Sequence, residues 1–347
     1  MRLRYGLLLA VPASFAAAWL HAPPLLVFVL ACIAVLPLAG IMGDATEHLA
    51  ARTGPTMGGF LNATFGNAAE LIIAIVALRA GLVQLVKASI TGSILGNLLL
   101  ILGLSLVAGG TRRETLTFNR TAASMSAGML ALAVVGLVFP ALFHHLHPVG
   151  SEATELLMAE GVALILLATY AASLVFSLKT HRRLFGGDPH PLDAEPWPVR
   201  KAVLVLGGAT IGVAFEAEVL VHSVEAVTTT LGWSETFLGL IIIPFIGNAA
   251  EHATAVVVAR KGQTDLALQI ALGSSTQVAL LIAPLLVFIG LFLGRPMNFA
   301  FSTFEVAALA LATLVVAISV QDGESNWFEG VQLLAVYLMI AIAAFFV

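Results

Sequence analysis

Apolar residues run along this chain in long blocks, at about 5–20, 24–42, 57–79, 85–108, 121–142, 152–178, 200–230, 236–260, 265–293, 299–320 and 327–347. Most approach the roughly 20 residues that an α-helix needs to cross a bilayer. The breaks between them carry turn chemistry, as in His21-Ala22-Pro23-Pro24, Gly109-Gly110-Thr111 and Gly294-Arg295-Pro296. Two connections are clearly polar, 110–120 and 179–201. The second is proline-rich, holds three acids and five bases, and divides the chain into halves. The pattern predicts an all-α polytopic membrane protein of about eleven transmembrane helices.

Composition removes the alternative of a water-soluble protein. Hydrophobic residues make up 59% of the 347 and charged residues 10%, against about 25% charged in a soluble domain. So few charges cannot cover so much apolar surface in water. A net charge of −4 without a basic run argues against nucleic acid as a partner, and a single cysteine, Cys32, excludes a disulfide framework. With the N-terminus in the cytoplasm, thirteen lysines and arginines fall on cytoplasmic segments, and only Arg79, Lys87 and Arg295 fall outside. That bias follows the positive-inside rule. The first block, with Arg2, Arg4 and Ala16-Ala17-Ala18, also resembles a cleavable signal peptide, and both readings leave the other ten spans in place.

The chain repeats itself. A shift of 181 residues lays 58–103 on 239–284 with 16 of 46 positions identical, Gly66-Asn67-Ala68-Ala69-Glu70 falling on Gly247-Asn248-Ala249-Ala250-Glu251 and Gly92-Ser93 on Gly273-Ser274. Five spans separate each copy from its partner. The copies therefore cross the membrane in opposite directions, as in the inverted-topology repeats of secondary transporters, which place the binding site near the midplane. The expected organisation is an N-terminal transmembrane helix (1–22), a first five-helix repeat (23–180), a cytoplasmic linker (181–199) and a second, inverted five-helix repeat (200–347).

A glutamate within a span costs roughly 2.5–3.5 kcal/mol on insertion scales. Glu70 and Glu251 each stand in a span, once per repeat, with no lysine or arginine at matching depth. The bland reading is a buried, protonated or ion-paired acid; the functional one is a cation site on the axis between the repeats. Asn67 and Asn248 lie one turn before the glutamates on the same expected helical face. Gly66, Gly247 and Pro244 weaken the helix there. In the following spans Ser93 with Asn97, and Ser274 with Gln277, add hydroxyl and amide oxygens, although small residues here also serve close helix packing. Carboxylates and neutral oxygens without a thiolate or histidine pair suit Ca²⁺ better than Mg²⁺ or Zn²⁺. His252 points away from Glu251 around the helix and reads as a packing residue. Asp44 and Glu47, beside His48, would form an acidic mouth on the cytoplasmic side. Glu218, His222 and Glu225, at i, i+4 and i+7, would form one outside, with interfacial solvation as the bland alternative. Glu216, Glu160 and Glu305 have no assignment, and His144, His145 and His147 read as exposed loop residues.

The run Gly58-Gly59-Phe60-Leu61-Asn62-Ala63-Thr64-Phe65-Gly66-Asn67-Ala68-Ala69-Glu70-Leu71 and its partner Gly247-Asn248-Ala249-Ala250-Glu251-His252-Ala253 resemble the paired signature of the Ca²⁺/H⁺ exchanger (CAX) family. That family belongs to the cation/Ca²⁺ exchanger superfamily. Gly92-Ser93-Ile94-Leu95-Gly96-Asn97, Gly273-Ser274-Ser275-Thr276-Gln277 and Ala217-Glu218-Val219-Leu220-Val221 resemble further family blocks. The resemblance implies eleven spans, Glu70 and Glu251 as Ca²⁺ ligands and proton carriers, and Gln277 and the serines as supporting oxygens. Ca²⁺ would be substrate rather than cofactor, no catalytic residue is expected, and homo-oligomerisation is left open. The chain departs from eukaryotic members in having no long N-terminal tail and no acidic tract in its central loop, where only Asp188, Asp193 and Glu195 stand. A prokaryotic plasma-membrane protein is implied.

Charge arithmetic points to antiport on its own: two ionised glutamates hold one divalent cation, and the doubly protonated pair holds none. Three readings compete with Ca²⁺/H⁺ exchange: a Na⁺-coupled Ca²⁺ exchanger, Mn²⁺- or Mg²⁺-proton antiport, and an intramembrane metalloenzyme using Glu251 and His252. The last lacks further histidines at ligand spacing.

Overall fold

The computed structural model describes residues 6–53, 55–146, 152–181, 184 and 195–347. One helix or bent helix pair falls on each apolar block. They are α1 (Ala10–Trp19), α2 (Pro24–Thr53), α3 (Pro55–Phe65), α4 (Ala68–Arg79), α5 (Val83–Gly110), α6 (Arg120–Leu146) and α7 (Ala153–Thr180) in the first part. The second part holds α8 (Val199–Leu231), α9 (Glu235–Gly247), α10 (Ala249–Arg260), α11 (Thr264–Phe292), α12 (Thr303–Ser319) and α13 (Trp327–Phe345). Seven of these are long and apolar enough to cross a membrane, and α9 with α10, bent by 61°, makes an eighth. Adding α3 with α4 and the shorter helices α1 and α12 makes the fold compatible with eleven spans. A helix satisfies its own backbone groups, which lipid cannot do. Helix ends carry the expected chemistry: Ser302 and Glu305 form a capping box on α12, Asn326 caps α13, and Gly232 ends α8 at φ 69°.

The connections sort onto two ends as the charges predict. At one end Arg113 lies against Gly262, Asn119 meets Asp265, Arg52 bonds the carbonyls of Pro196 and Trp197, and strand Leu116–Thr117 pairs antiparallel with Glu324–Ser325. At the opposite end Arg79 pairs with Glu218, and Lys87, His144, Glu155 and Asn298 come together. The first is called the arginine-rich end below. Arg2, Arg4, His147, Arg182, Arg183, Asp188 and Asp193, and most of the expected linker, lie outside the described residues.

Two expectations change. Lys87 is not a loop residue but a buried one on α5, donating to Asn298 Oδ1 at 2.6 Å and to the Ala300 carbonyl at 2.9 Å. His144 is not a free loop residue: its Nδ1 lies 2.8 Å from Glu155 Oε1, which is itself buried.

The core has two parts. Buried residues in the far halves of α2 (Phe28, Ala31, Val35) and α8 (Ala217 to Val227) join the main core. Their arginine-rich halves (Leu38 to Leu49 and Ala202 to Val213) pack in a separate cluster. The arginine-rich halves of these two helices thus pack apart from the main core, against each other and against α1, α3 and the start of α4.

Candidate functional site

The two helix breaks bring the repeated motifs face to face. α4 begins at Ala68 and α10 at Ala249, so Asn67 and Asn248 stand at the breaks, and neither side chain caps its own helix. Each carbonyl accepts the first bond of the helix that carries its own glutamate, from Leu71 N at 3.1 Å and from His252 N at 2.9 Å, yet neither side chain is bonded to that glutamate. Asn248 instead crosses to the other repeat and donates to Glu70 Oε1 at 2.5 Å. Asn67 crosses in return, donating to Gln277 Oε1 at 2.5 Å and accepting from Ser274 Oγ at 2.8 Å. The glycines cross too: a Cβ on Gly66 would lie 3.4 Å from Glu251 Oε1, and one on Gly247 would lie 3.1 Å from Glu70 Cγ. Only a residue without a side chain leaves that approach open.

Each serine serves the glutamate of its own repeat. Ser93 donates to Glu70 Oε1, and Ser274 Oγ lies 2.9 Å from Glu251 Oε2. Both serines precede a π-helical turn at matching places, Gly96–Ile101 in α5 and Val278–Ile282 in α11. Such turns interrupt regular helix hydrogen bonding and recur at functional sites. Asn67, Asn248, Ser93 and Ser274 are buried, while Glu70, Glu251 and Gln277 remain partly exposed. Glu70 Oε2 is a buried oxygen with no hydrogen-bond partner. Among the described residues neither glutamate has a lysine or arginine partner.

Six of the eight expected ligands thus belong to one constellation with Gln277 at its edge, and Asn97 departs from it. Asn97 Oδ1 lies 3.2 Å from His252 Nε2, and Asn97 Nδ2 and His252 Nδ1 are buried without partners. His252 is a packing neighbour of the site, as expected.

The acidic mouths differ from one another. Glu47, on α2, lies within electrostatic reach of Glu251, and Asp44 stands one turn earlier, half-buried. Toward the opposite end Glu218 is ion-paired with Arg79 at 2.9 Å, while His222 and Glu225 face outward as exposed residues. Arg79 thus pairs with the acid expected to line that route. Arg79, expected in an outside loop, stands at the end of α4, which brings it to α8.

The same asymmetry governs the helix contacts. A Cβ on Gly92 would lie 2.2 Å from the Leu240 carbonyl oxygen, and one on Gly239 would lie 2.7 Å from both Ala88 Cβ and the Leu85 carbonyl oxygen, so α9 is seated on α5. The repeat counterparts behave differently. A Cβ on Gly273 would meet nothing within 4 Å, while Gly58 sits against Ala50 of α2 and Gly59 against Leu178 of α7. A cavity of ≈ 510 Å³ runs between α6, α7 and α11 from Asp265 to Gln277, lined by Met125, Tyr170 and Phe176. It reaches the edge of the constellation at Gln277 from the arginine-rich end, while α9 and α5 are in close contact toward the other.

Residues 23–179 and 201–346 match the family described as sodium/calcium exchanger protein. A Ca²⁺/H⁺ antiporter of Aphanothece halophytica is 43% identical over 360 residues, covering 99% of this chain and 96% of the relative. The Ca²⁺/H⁺ antiporter ChaA of Bacillus subtilis is 42% identical over 341 residues, covering 96% of each. The solved structure of native YfkE superposes with a TM-score of 0.87 at 40% identity, covering 99% of this chain and 100% of that one. The H⁺/Ca²⁺ exchanger CAX, at 14% identity and a TM-score of 0.73, shares the fold. Two crossed helix breaks, a glutamate at each, and a match running through both halves place this chain in the sodium/calcium exchanger family.

Proposed function

We propose that this chain is a Ca²⁺/H⁺ antiporter that exports Ca²⁺ from the cytoplasm by alternating access. The observation that carries this reading is the pair of glutamates bonded by serine and asparagine donors and left without a basic partner. Glu70 and Glu251 are the primary ligands of Ca²⁺. Asn67, Asn248, Ser93, Ser274 and Gln277 supply neutral oxygens, of the kind Ca²⁺ accepts in flexible geometry. Asn248 and Ser93 donate to Glu70, while Asn67 donates to Gln277 and the single Ser274 proton faces both Asn67 Oδ1 and Glu251 Oε2. Ca²⁺ binding requires the amide groups to turn their oxygens inward, while two protons satisfy the carboxylates without that change. Carboxylates held this close and away from water cannot both stay ionised without a cation, so metal and protons exclude one another.

The arginine-rich end is cytoplasmic on this reading, so the conformation described here receives Ca²⁺ from inside, past Asp44 and Glu47. The halves 23–180 and 200–347 act as the two inverted repeats, in a prokaryotic plasma membrane. Isotopic Ca²⁺ uptake into proteoliposomes under an imposed pH gradient tests the function. Uptake driven by the pH gradient with no requirement for Na⁺ is expected, and uptake that needs a Na⁺ gradient would replace the coupling ion.

A further inference from the structure

Glu216 lies halfway along α8, is fully buried, and belongs to none of the contacts described above. Its partner is Ser14 of α1: Ser14 Oγ lies 2.8 Å from Glu216 Oε1 and 2.8 Å from Oε2, and also 2.8 Å from the Val11 carbonyl oxygen. Ser14 is fully buried as well.

Among the described residues, the helices packed around Glu216 offer it no cation. α1 has no titratable side chain. On α2 stand Cys32, Asp44, Glu47, His48 and Arg52, and on α4 Glu70 and Arg79. None of them pairs with Glu216, and Arg79 is held by Glu218. On α8 itself, His222 lies against the Glu218 carbonyl and Glu225 is exposed.

Counting hydrogens settles the form of the group. The Ser14 hydroxyl has one proton and three oxygens within bonding distance. With a carboxylate at Glu216, that proton serves one of the three contacts, and the others join lone pairs beside an uncompensated buried charge, which is costly. With a carboxylic acid, the Glu216 O–H donates to Ser14 Oγ and the Ser14 O–H donates to the Val11 carbonyl, so two of the three contacts carry a proton and no charge is buried. We propose that Glu216 and Ser14 form a proton-binding site separate from the paired glutamates, in which the neutral acid docks α1 onto α8 and loss of the proton releases α1.

This inference does not rest on which ions are exchanged. Infrared difference spectra of the reconstituted protein should show a carboxylic-acid carbonyl band that disappears in Glu216→Gln, shifts in Ser14→Ala, and persists in Glu70→Gln and Glu251→Gln. Spin labels on Leu9→Cys and Ile211→Cys, with Cys32 replaced by alanine, report docking. Their distance distribution should broaden as pH rises in the otherwise native protein and stay narrow in Glu216→Gln, whose neutral amide still bonds Ser14. The absence of any band specific to Glu216, or a distance that broadens equally with pH in Glu216→Gln, would overturn the assignment.

Discussion

Glu70 and Glu251 each receive hydrogen bonds that a glutamine can also accept, so replacement should remove charge while keeping shape. Glu70→Gln and Glu251→Gln are therefore expected to fold normally and to lose exchange. A contact to a charged group contributes about 1.5–3 kcal/mol, and each 1.4 kcal/mol is about a factor of ten. Ca²⁺ flux should fall by at least roughly tenfold in either variant, measured against matched protein in liposomes. Near-native flux would remove that glutamate from the site. Lys87 makes a second prediction. Lys87→Met orphans the acceptors on Asn298 and Ala300 and removes the positive charge that acts on Glu305 and on Glu155, the latter still held by His144 and Asn298. A loss of about 1–3 kcal/mol is expected for a buried acceptor left unsatisfied, seen as a lower unfolding temperature in detergent. How much of this is legible in the sequence depends on repetition. Glu70, Asn67, Ser93 and their partners stand out because they occur twice, 181 residues apart. Asn97, His252 and Lys87 occur once, and their partners lie on helices whose neighbours no local pattern reveals. The crossing of the asparagines is hidden for the same reason, since their partners stand on helices of the other repeat.

At the scale of elements, the apolar blocks mark most helices to within a few residues, because a bilayer demands uninterrupted apolar length and turn residues at its edges, but α2 runs on from its block at 42 to Thr53. Which way the half-helices lean is not a local property. α3 and α9 carry related motifs, yet α9 is seated on α5 while α3 rests on α2 and α7. Inverted symmetry predicts the other conformation: α3 closes onto α11 at Gly273 as α9 now closes onto α5 at Gly92. Gly92→Ala places a methyl 2.2 Å from the Leu240 carbonyl oxygen and should force α9 off α5. Overpacking of this kind costs about 1–3 kcal/mol, a shift of roughly five- to a hundredfold toward the conformation open at the opposite end. A cysteine replacing Ser173, which lines the cavity at the arginine-rich end, should then react more slowly with an impermeant thiol reagent. Gly273→Ala fits the conformation described here and should fold and label normally. Its exchange should be slow, because the methyl obstructs the return closure. Unchanged labelling in Gly92→Ala together with native exchange in Gly273→Ala would mean that these glycines do not line the two gates.

For the whole molecule, the main constraint set by the proposed function is that one pair of carboxylates would serve two kinds of ion. Helices α2 and α8 join the main core at the far end and a separate cluster with α1, α3 and the start of α4 at the arginine-rich end, so a rocking of this cluster can transfer access. If such a cycle is to couple the fluxes, Ca²⁺ and protons must compete with no ternary complex. The sign follows from the charges. At low pH the pair holds two protons and must release both to take Ca²⁺, so the apparent dissociation constant should fall by about a hundredfold for each unit of rising pH. Once both groups are ionised, the dependence should vanish. Ca²⁺ binding should also release protons, and the number released should decline as the pair ionises. Calorimetry of purified protein in buffers of different ionisation enthalpy counts them directly. Proton release that persists in Glu216→Gln but is lost in Glu70→Gln and Glu251→Gln would assign the competition to the paired glutamates alone. Ca²⁺ affinity independent of pH, with no protons released, would mean that the coupling ion is not H⁺, and Na⁺ would then be the ion to test against the same site.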